Sequence, residues 1–150
     1  MKLAEYAAHD ATGLADLVAR KEVSPKELAR TALSAIGAVN GDLNAVIELY
    51  DDQIDDLDVA KLGTGPFHGV PFLIKDVFGH LKGRRIEFGS RLCEGMIGDV
   101  ETNFAKLVKS SGFNILGRTN TPEYSLSSTT ENLLYGNTHN PWKRGHSAGG

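Results

Sequence analysis

The sequence predicts an α/β fold in which N-terminal helices lead into part of a mixed β-sheet covered by helices. Three observations carry that expectation. Ser24-Pro25-Lys26-Glu27 is a helix start placed ahead of an apolar face with helical spacing. Val70-Pro71-Phe72-Leu73-Ile74 and Phe113-Asn114-Ile115-Leu116-Gly117 are short apolar runs that read as buried strands. An amphipathic segment lies between them, so strand, helix and strand alternate.

Taken in order, Leu14, Leu17 and Val18 follow Asp10-Ala11-Thr12 with 3,4 spacing and predict a first helix. In the second, Ser24 caps, Pro25 takes the first helical position and Glu27 completes a capping box. Leu28, Ala32, Leu33 and Ile36 share one face of it, and Gly37 or Gly41 can end it. Asn44 to Leu49 is short and β-branched, hence a strand. Asp51, Asp52, Asp55, Asp56 and Asp58 evoke a calcium loop, but the glycine and closing glutamate of an EF-hand are missing. Ile54, Leu57 and Leu62 instead predict the dry side of a short acidic helix whose carboxylates face water.

Gly63 to Gly69 is a loop by composition. Its G-x-G leads into a strand instead of out of one into a helix, the wrong order for a dinucleotide site. Asp99 to Ser110 predicts a helix with Val100, Phe104, Leu107 and Val108 on one side. Asp99 and Glu101 suit its N-terminal end, Lys106 and Lys109 its C-terminal end, and Gly112 closes it. Thr121-Pro122-Glu123 reads as another helix start, and the chain from Tyr135 onward is polar and irregular.

Hydrophobic residues at 41% and charged residues at 23% are ordinary for a soluble globular protein. Sixteen Lys and Arg against nineteen Asp and Glu give a net charge of −3. No basic stripe appears, so neither nucleic acid nor an anionic membrane is an expected partner. Cys93 is the only cysteine, which excludes an internal disulfide and a cysteine metal cluster. The N-terminus has no signal-peptide core, and no apolar run reaches the roughly 20 residues that span a bilayer. A cytoplasmic location is expected.

Gly145-His146-Ser147-Ala148-Gly149 spells G-x-S-x-G, the nucleophile elbow of α/β-hydrolases. That elbow needs a strand driving into a sharp turn and a helix leaving it. Asn140-Pro141-Trp142-Lys143-Arg144 discourages a buried strand before the serine, so the elbow reading is rejected. His68, His80, His139 and His146 show no metal-ligand spacing and read as loop or surface histidines.

From about Gly65 to Gly150 the chain resembles the amidase-signature family. The matching stretches are Gly69-Val70-Pro71-Phe72-Leu73-Ile74-Lys75-Asp76, Gly89-Ser90, Gly117-Arg118-Thr119-Asn120, Thr130-Glu131-Asn132, Tyr135-Gly136 and Asn140-Pro141-Trp142. They stand in family order at family spacings. The resemblance implies an incomplete amidase-signature fold: residues 1–62 a helical N-terminal region and 63–150 the start of the core, together the N-terminal part of a single domain.

It also implies the chemistry. The family uses a serine nucleophile, a second serine preceded by a cis peptide bond, and a lysine, which here is Lys75. A free lysine has a pKa near 10.4, and burial disfavours its charged form. A lysine directly after an apolar strand is therefore placed to act as an uncharged amine in the relay. By the family's spacing Gly149 and Gly150 precede the missing serine pair, and Ser147 stands four positions too early to be the cis serine. Both serines are expected beyond residue 150, so the chain alone is expected to be inactive.

Ser125, Leu126 and Ser127 correspond to a stretch beside the acyl pocket, where they either touch substrate or merely line a turn. Glu131 and Asn132 are expected as structural hydrogen-bond formers. The expected partner is a small-molecule amide, without metal or organic cofactor, and a homodimer stays open. Within the family, linear-amide hydrolysis, cyclic or oligomeric amide hydrolysis and tRNA-dependent amide transfer share these motifs. A non-catalytic docking half is the competing reading.

Overall fold

The computed structural model describes residues 1–150. Helix α1 (Leu3–Tyr6) is a single turn, followed by α2 (Ala11–Ala19) and the long α3 (Pro25–Leu43). The strands β1 (Val46–Leu49) and β2 (Pro71–Lys75), the helix α4 (Asn103–Ser110) and the strand β3 (Asn114–Thr119) come next. A short antiparallel pair, β4 (Glu131–Asn132) and β5 (Gly136–Asn137), ends the series.

The larger sheet has the order β1-β3-β2, and its directions follow from the backbone bonds. Asn114 N–H donates to the Val70 carbonyl at 2.8 Å and Asp76 N–H to the Thr119 carbonyl at 3.1 Å, so β2 and β3 run parallel. Tyr50 N–H donates to the Leu116 carbonyl at 2.7 Å and Asn120 N–H to the Ala45 carbonyl at 2.8 Å, so β1 runs antiparallel to β3. The sheet is mixed, as expected, and β2-α4-β3 is one strand–helix–strand unit.

The first two predicted helix starts form. Asp10 Oδ1 accepts Gly13 N–H at 2.8 Å, and Ser24 Oγ accepts Glu27 N–H at 3.1 Å. The other half of the predicted capping box is replaced: the Glu27 carboxylate pairs with the terminal ammonium of Met1. Helix α3 continues through Gly37 and Gly41, because neither adopts the left-handed turn that ends a helix. Asn44 does so, with φ at 51°. Asn40 Oδ1 accepts the N–H groups of Ala45 and Val46 at 2.9 and 2.8 Å. The first two residues of the predicted strand are thus spent on the cap, and β1 begins at Val46.

The acidic run forms a 3₁₀ turn (Asp51–Gln53) in place of a helix. Ile54 and Leu57 are buried and the five aspartates exposed, so the predicted division of sides holds. Helix α4 begins at Asn103 instead of Asp99, with Thr102 Oγ1 accepting Ala105 N–H at 3.3 Å. Its buried stripe is Ala105 and Val108, while Phe104 and Leu107 are 51% and 65% exposed and Val100 is exposed as well. Two apolar stripes lie side by side in this helix and only one faces the interior. The last predicted start, at Thr121-Pro122-Glu123, gives only the 3₁₀ turn Glu123–Ser125, since Tyr124 and Ser125 both have positive φ.

The chain divides into two compact units. One comprises Met1–Ala38, Leu49–Leu73 and Lys106–Gly117, and its core is apolar. Leu14, Leu17, Val23, Leu28 and Val70 form one cluster, Ala29, Ala32, Ile54 and Leu116 another. In this unit the loop carrying the G-x-G packs on the end of α4: a Cβ at Gly65 would lie 2.5 Å from Ser111 backbone atoms. That close approach, not a nucleotide, is what the glycine serves.

The other unit comprises Val39–Glu48, Ile74–Ala105 and Arg118–Gly150. Beside Ile74, Val77, Leu81 and Ile86 it buries Asp76, Glu87, Ser90, Arg118, Asn120, Thr121, Thr130 and Asn132. Its interior is largely polar.

Replacing the fully buried Leu28 by alanine should lower unfolding free energy by about 2–5 kcal/mol, from lost burial plus the cavity left behind. Denaturant titration checks this; a change below about 1 kcal/mol would mean the apolar cluster does not hold the unit.

Candidate functional site

Lys75 is the last residue of β2 and is half-buried. Its neighbours Ile74 and Asp76 are both buried, and strand alternation puts Lys75 on the opposite face from Ile74. Asp76, wholly buried, is one of the most heavily bonded side chains of its unit. Oδ1 accepts the Glu87 N–H at 2.9 Å and Arg118 Nη1 at 2.7 Å, and Oδ2 accepts the Gly89 N–H at 3.1 Å.

Arg118 is 1% exposed and faces three carboxylates. Besides Asp76, its Nε donates to Glu48 Oε2 at 2.9 Å, and its Nη2 to Glu87 Oε2 at 2.7 Å and to Tyr135 Oη at 2.9 Å. The Tyr135 hydroxyl in turn donates to Glu87 Oε2, and Gly95 N–H donates to Glu87 Oε1 at 2.7 Å. A buried ion survives only if its hydrogen-bonding capacity is met, and here the guanidinium and the carboxylates meet each other's.

The titration shifts follow. Burial pushes the Glu87 carboxyl up. The hydrogen bonds from Tyr135, Gly95 and Arg118, with the charge of Arg118, outweigh burial and hold it below the usual carboxylate range. Burial and the bond to Glu87 push the Tyr135 hydroxyl up to about 12. Arg118 is lowered by burial but raised more by Asp76 and Glu87, so it stays charged.

Two further matched stretches supply Asn132 and Ser90, both buried. Asn132 Nδ2 donates to Asn120 Oδ1 at 2.6 Å and to the Thr121 carbonyl at 2.8 Å, and its Oδ1 accepts the N–H groups of Leu134 and Tyr135. It is the expected structural bond former; Glu131, by contrast, stands exposed. Ser90 Oγ donates to Glu123 Oε1 at 2.6 Å.

Of Ser125, Leu126 and Ser127, only Ser127 lies against the final glycine. Ser125 Oγ bonds Thr121 Oγ1 at 2.9 Å, and Ser127 Oγ accepts Thr129 N–H at 3.2 Å. Leu126 is 87% exposed. Thr130 Oγ1 donates to the Gly149 carbonyl at 2.8 Å, and a Cβ at Gly150 would lie 2.4 Å from the Ser127 carbonyl oxygen.

Ser147 pairs with His139 in an antiparallel bridge, and its hydroxyl accepts the N–H groups of Thr130 and Gly149, each at 3.2 Å. It is a structural serine in a returning loop, with no strand-turn-helix about it. Of the histidines, His68 Nδ1 bonds the Gly63 carbonyl at 2.8 Å, His80 packs edge-on to Phe88, and His139 and His146 are exposed.

Sequence reasoning missed the ion cluster. Arg118 stood in a matched motif, but its role did not. The available signal was a guanidinium directly after the apolar run Ile115-Leu116-Gly117, with Glu87 set between Ile86 and Phe88.

The cluster gives stability a pH dependence with a definite sign. Glu87 binds its proton more weakly in the folded chain, so its contribution is present above its unfolded pKa near 4.3 and lost as pH falls through the lower folded value. Tyr135 holds its proton more tightly, so its contribution is present below about pH 10 and lost as pH rises through about 12. Urea midpoints measured against pH should be flat from about 5 to 9 and fall on both sides, with Tyr135→Phe reducing the alkaline fall. Arg118→Ala, which strands buried carboxylates, should cost about 3–5 kcal/mol at pH 7.

A family model for amidases matches residues 27–150. The chain is 38% identical over 148 residues to an acylamidase of Rhodococcus erythropolis, taking in 93% of this chain and 31% of that protein. It is 32% identical over 154 residues to a glutamyl-tRNA(Gln) amidotransferase subunit of Corynebacterium glutamicum (strain R), over 97% of this chain and 31% of that one. The solved structure of a 6-aminohexanoate cyclic dimer hydrolase matches with a TM-score of 0.86 at 36% identity, over 95% of this chain and 29% of its own. The chain therefore spans about three-tenths of the length of these relatives. With the family model running from Glu27 to Gly150 across the stretches that enclose Arg118, the chain belongs to the amidase, or amidase-signature, family.

Proposed function

We propose that these 150 residues are the N-terminal part of one amidase-signature domain, 1–62 its helical entry and 63–150 the start of its core, in an enzyme that cleaves carboxamide C–N bonds. Lys75 is the proton carrier of its Ser/cis-Ser/Lys relay. The position of Lys75 supports this reading most: a half-buried amine at the end of a strand, next to a carboxylate that is itself fully committed.

In the proposed reaction the Lys75 amine takes the proton of one serine hydroxyl, and that serine takes the proton of a second. The second serine's oxygen bonds to the amide carbon, and the carbonyl electron pair moves onto oxygen. Collapse of that intermediate breaks the C–N bond, and the leaving nitrogen receives the proton that Lys75 returns through the first serine. Water, deprotonated by the same relay, then opens the acyl ester and releases the carboxylic acid. No metal or organic cofactor enters these steps.

The two relay serines match no position in these 150 residues, and Ser147 is occupied by Thr130 and Gly149. They are therefore assigned to polypeptide following Gly150 in the whole protein, and the chain alone is inactive. Ser125, Leu126 and Ser127 line the acyl side, since the backbone at Gly150 lies against Ser127. Exposed Leu126, Leu133 and Trp142 are surfaces for that further polypeptide to cover. The substrate class is a small linear or cyclic carboxamide, the chemistry that the names of the acylamidase and the cyclic dimer hydrolase have in common.

In the whole protein, Lys75→Ala should cut turnover of a simple amide at pH 7 by about 10²–10⁴-fold, the usual worth of a general base. Near-normal turnover would end the assignment. Mixing the 150-residue chain with the remaining polypeptide should restore hydrolysis that neither piece shows; hydrolysis by the chain alone would refute its inactivity.

A further inference from the structure

We propose that the Arg118 cluster is a positioning device for Lys75, with Glu87 and Tyr135 as positioning residues that hold the end of β2 at one height against β3. The inference rests on the role proposed for Lys75 and adds to it residues outside the relay.

Asp76 is peptide-bonded to Lys75, and Thr119 to Arg118. Asp76 N–H donates to the Thr119 carbonyl at 3.1 Å, and Asp76 Oδ1 accepts Arg118 Nη1 at 2.7 Å. The two strand ends are therefore tied twice, once by backbone and once by side chain. A one-residue slip of β2 would break both ties and turn Lys75 to the other face of the sheet.

The second tie is only as stiff as the guanidinium, and that is fixed from the other sides. Glu48 of β1 holds Nε, while Glu87 and Tyr135 hold Nη2. Glu87 is in turn fixed by Gly95 N–H and by the Tyr135 hydroxyl. Asp76 also takes the backbone N–H groups of Glu87 and Gly89, so the loop bearing Glu87 and the residue after Lys75 form one body.

A fold that needed only to neutralise Arg118 could do so with one carboxylate. Three carboxylates and a hydroxyl leave the planar fork a single orientation. Reactive groups lose much of their rate when displaced by about 1 Å. Stiffness at this strand end therefore acts on the amine one residue away.

The test uses the whole protein and the variants Glu87→Gln and Tyr135→Phe, each nearly isosteric. Positioning predicts a kcat lower by about 10–10²-fold with KM changed less than twofold, because the reacting amine moves while the substrate surface does not. It also predicts that neither substitution lowers the residual rate further in a Lys75→Ala background, since its effect passes through that amine. A lower melting temperature with unchanged kcat would overturn the proposal and leave the cluster a purely structural one. Equal losses with and without Lys75 would overturn it too. Should Glu87→Gln not accumulate folded, Tyr135→Phe, which keeps every carboxylate, gives the same reading. Near-normal turnover of Lys75→Ala by itself would remove the role of Lys75 and the positioning proposal with it, and is separable because it appears before either cluster variant is made.

Discussion

Arg118 places a permanent positive charge where water does not reach, and the unit that contains it is organised to answer that charge. A guanidinium without partners in such a place would cost several kcal/mol, and so would each carboxylate without the guanidinium. The pairs are therefore mutually obligatory. Glu48 comes from β1, Asp76 from the end of β2, Arg118 from β3, Glu87 from the loop after β2 and Tyr135 from the turn between β4 and β5. Segments far apart in sequence are brought to one point by hydrogen-bond geometry, which is directional, and not by apolar burial, which is not.

The two units divide the work of folding differently. One rests on Leu14, Leu17, Leu28, Ile54, Val70 and Leu116, a core of the kind that tolerates repacking if volume is kept. The other rests on satisfied polar groups, where a lost partner leaves a buried donor or acceptor without water to replace it. Asn132 shows the pattern: with one side chain it serves Asn120, Thr121, Leu134 and Tyr135. A polar interior of this type specifies one arrangement at the cost of tolerance.

Ser90 and Ser147 spend their hydroxyls on loop structure, with Glu123 and Leu92 for the first, Thr130 and Gly149 for the second. The G-x-S-x-G string is thus explained without a nucleophile. The segment around it returns along Thr138 and Thr130 and sets Gly150 against Ser127. No helix of the chain is long and apolar enough to cross a membrane.

By itself the sequence determined the fold class, the two capped helix starts, the mixed strand–helix–strand core and the family, because each rests on local periodicity, on capping chemistry or on motifs in fixed order. It also placed Lys75 at a strand end and Ile54 and Leu57 on the dry side of the acidic run. Tertiary structure decided the rest. That Phe104 and Leu107 face outward while Ala105 and Val108 face in depends on which of two adjacent stripes meets a neighbour. That α3 passes two glycines and stops at Asn44 depends on where the chain must turn into β1. The convergence of Glu48, Asp76, Glu87 and Tyr135 on Arg118 has no periodicity to betray it, since partners in an ion cluster are chosen by distance in space, and only the folded chain sets that distance.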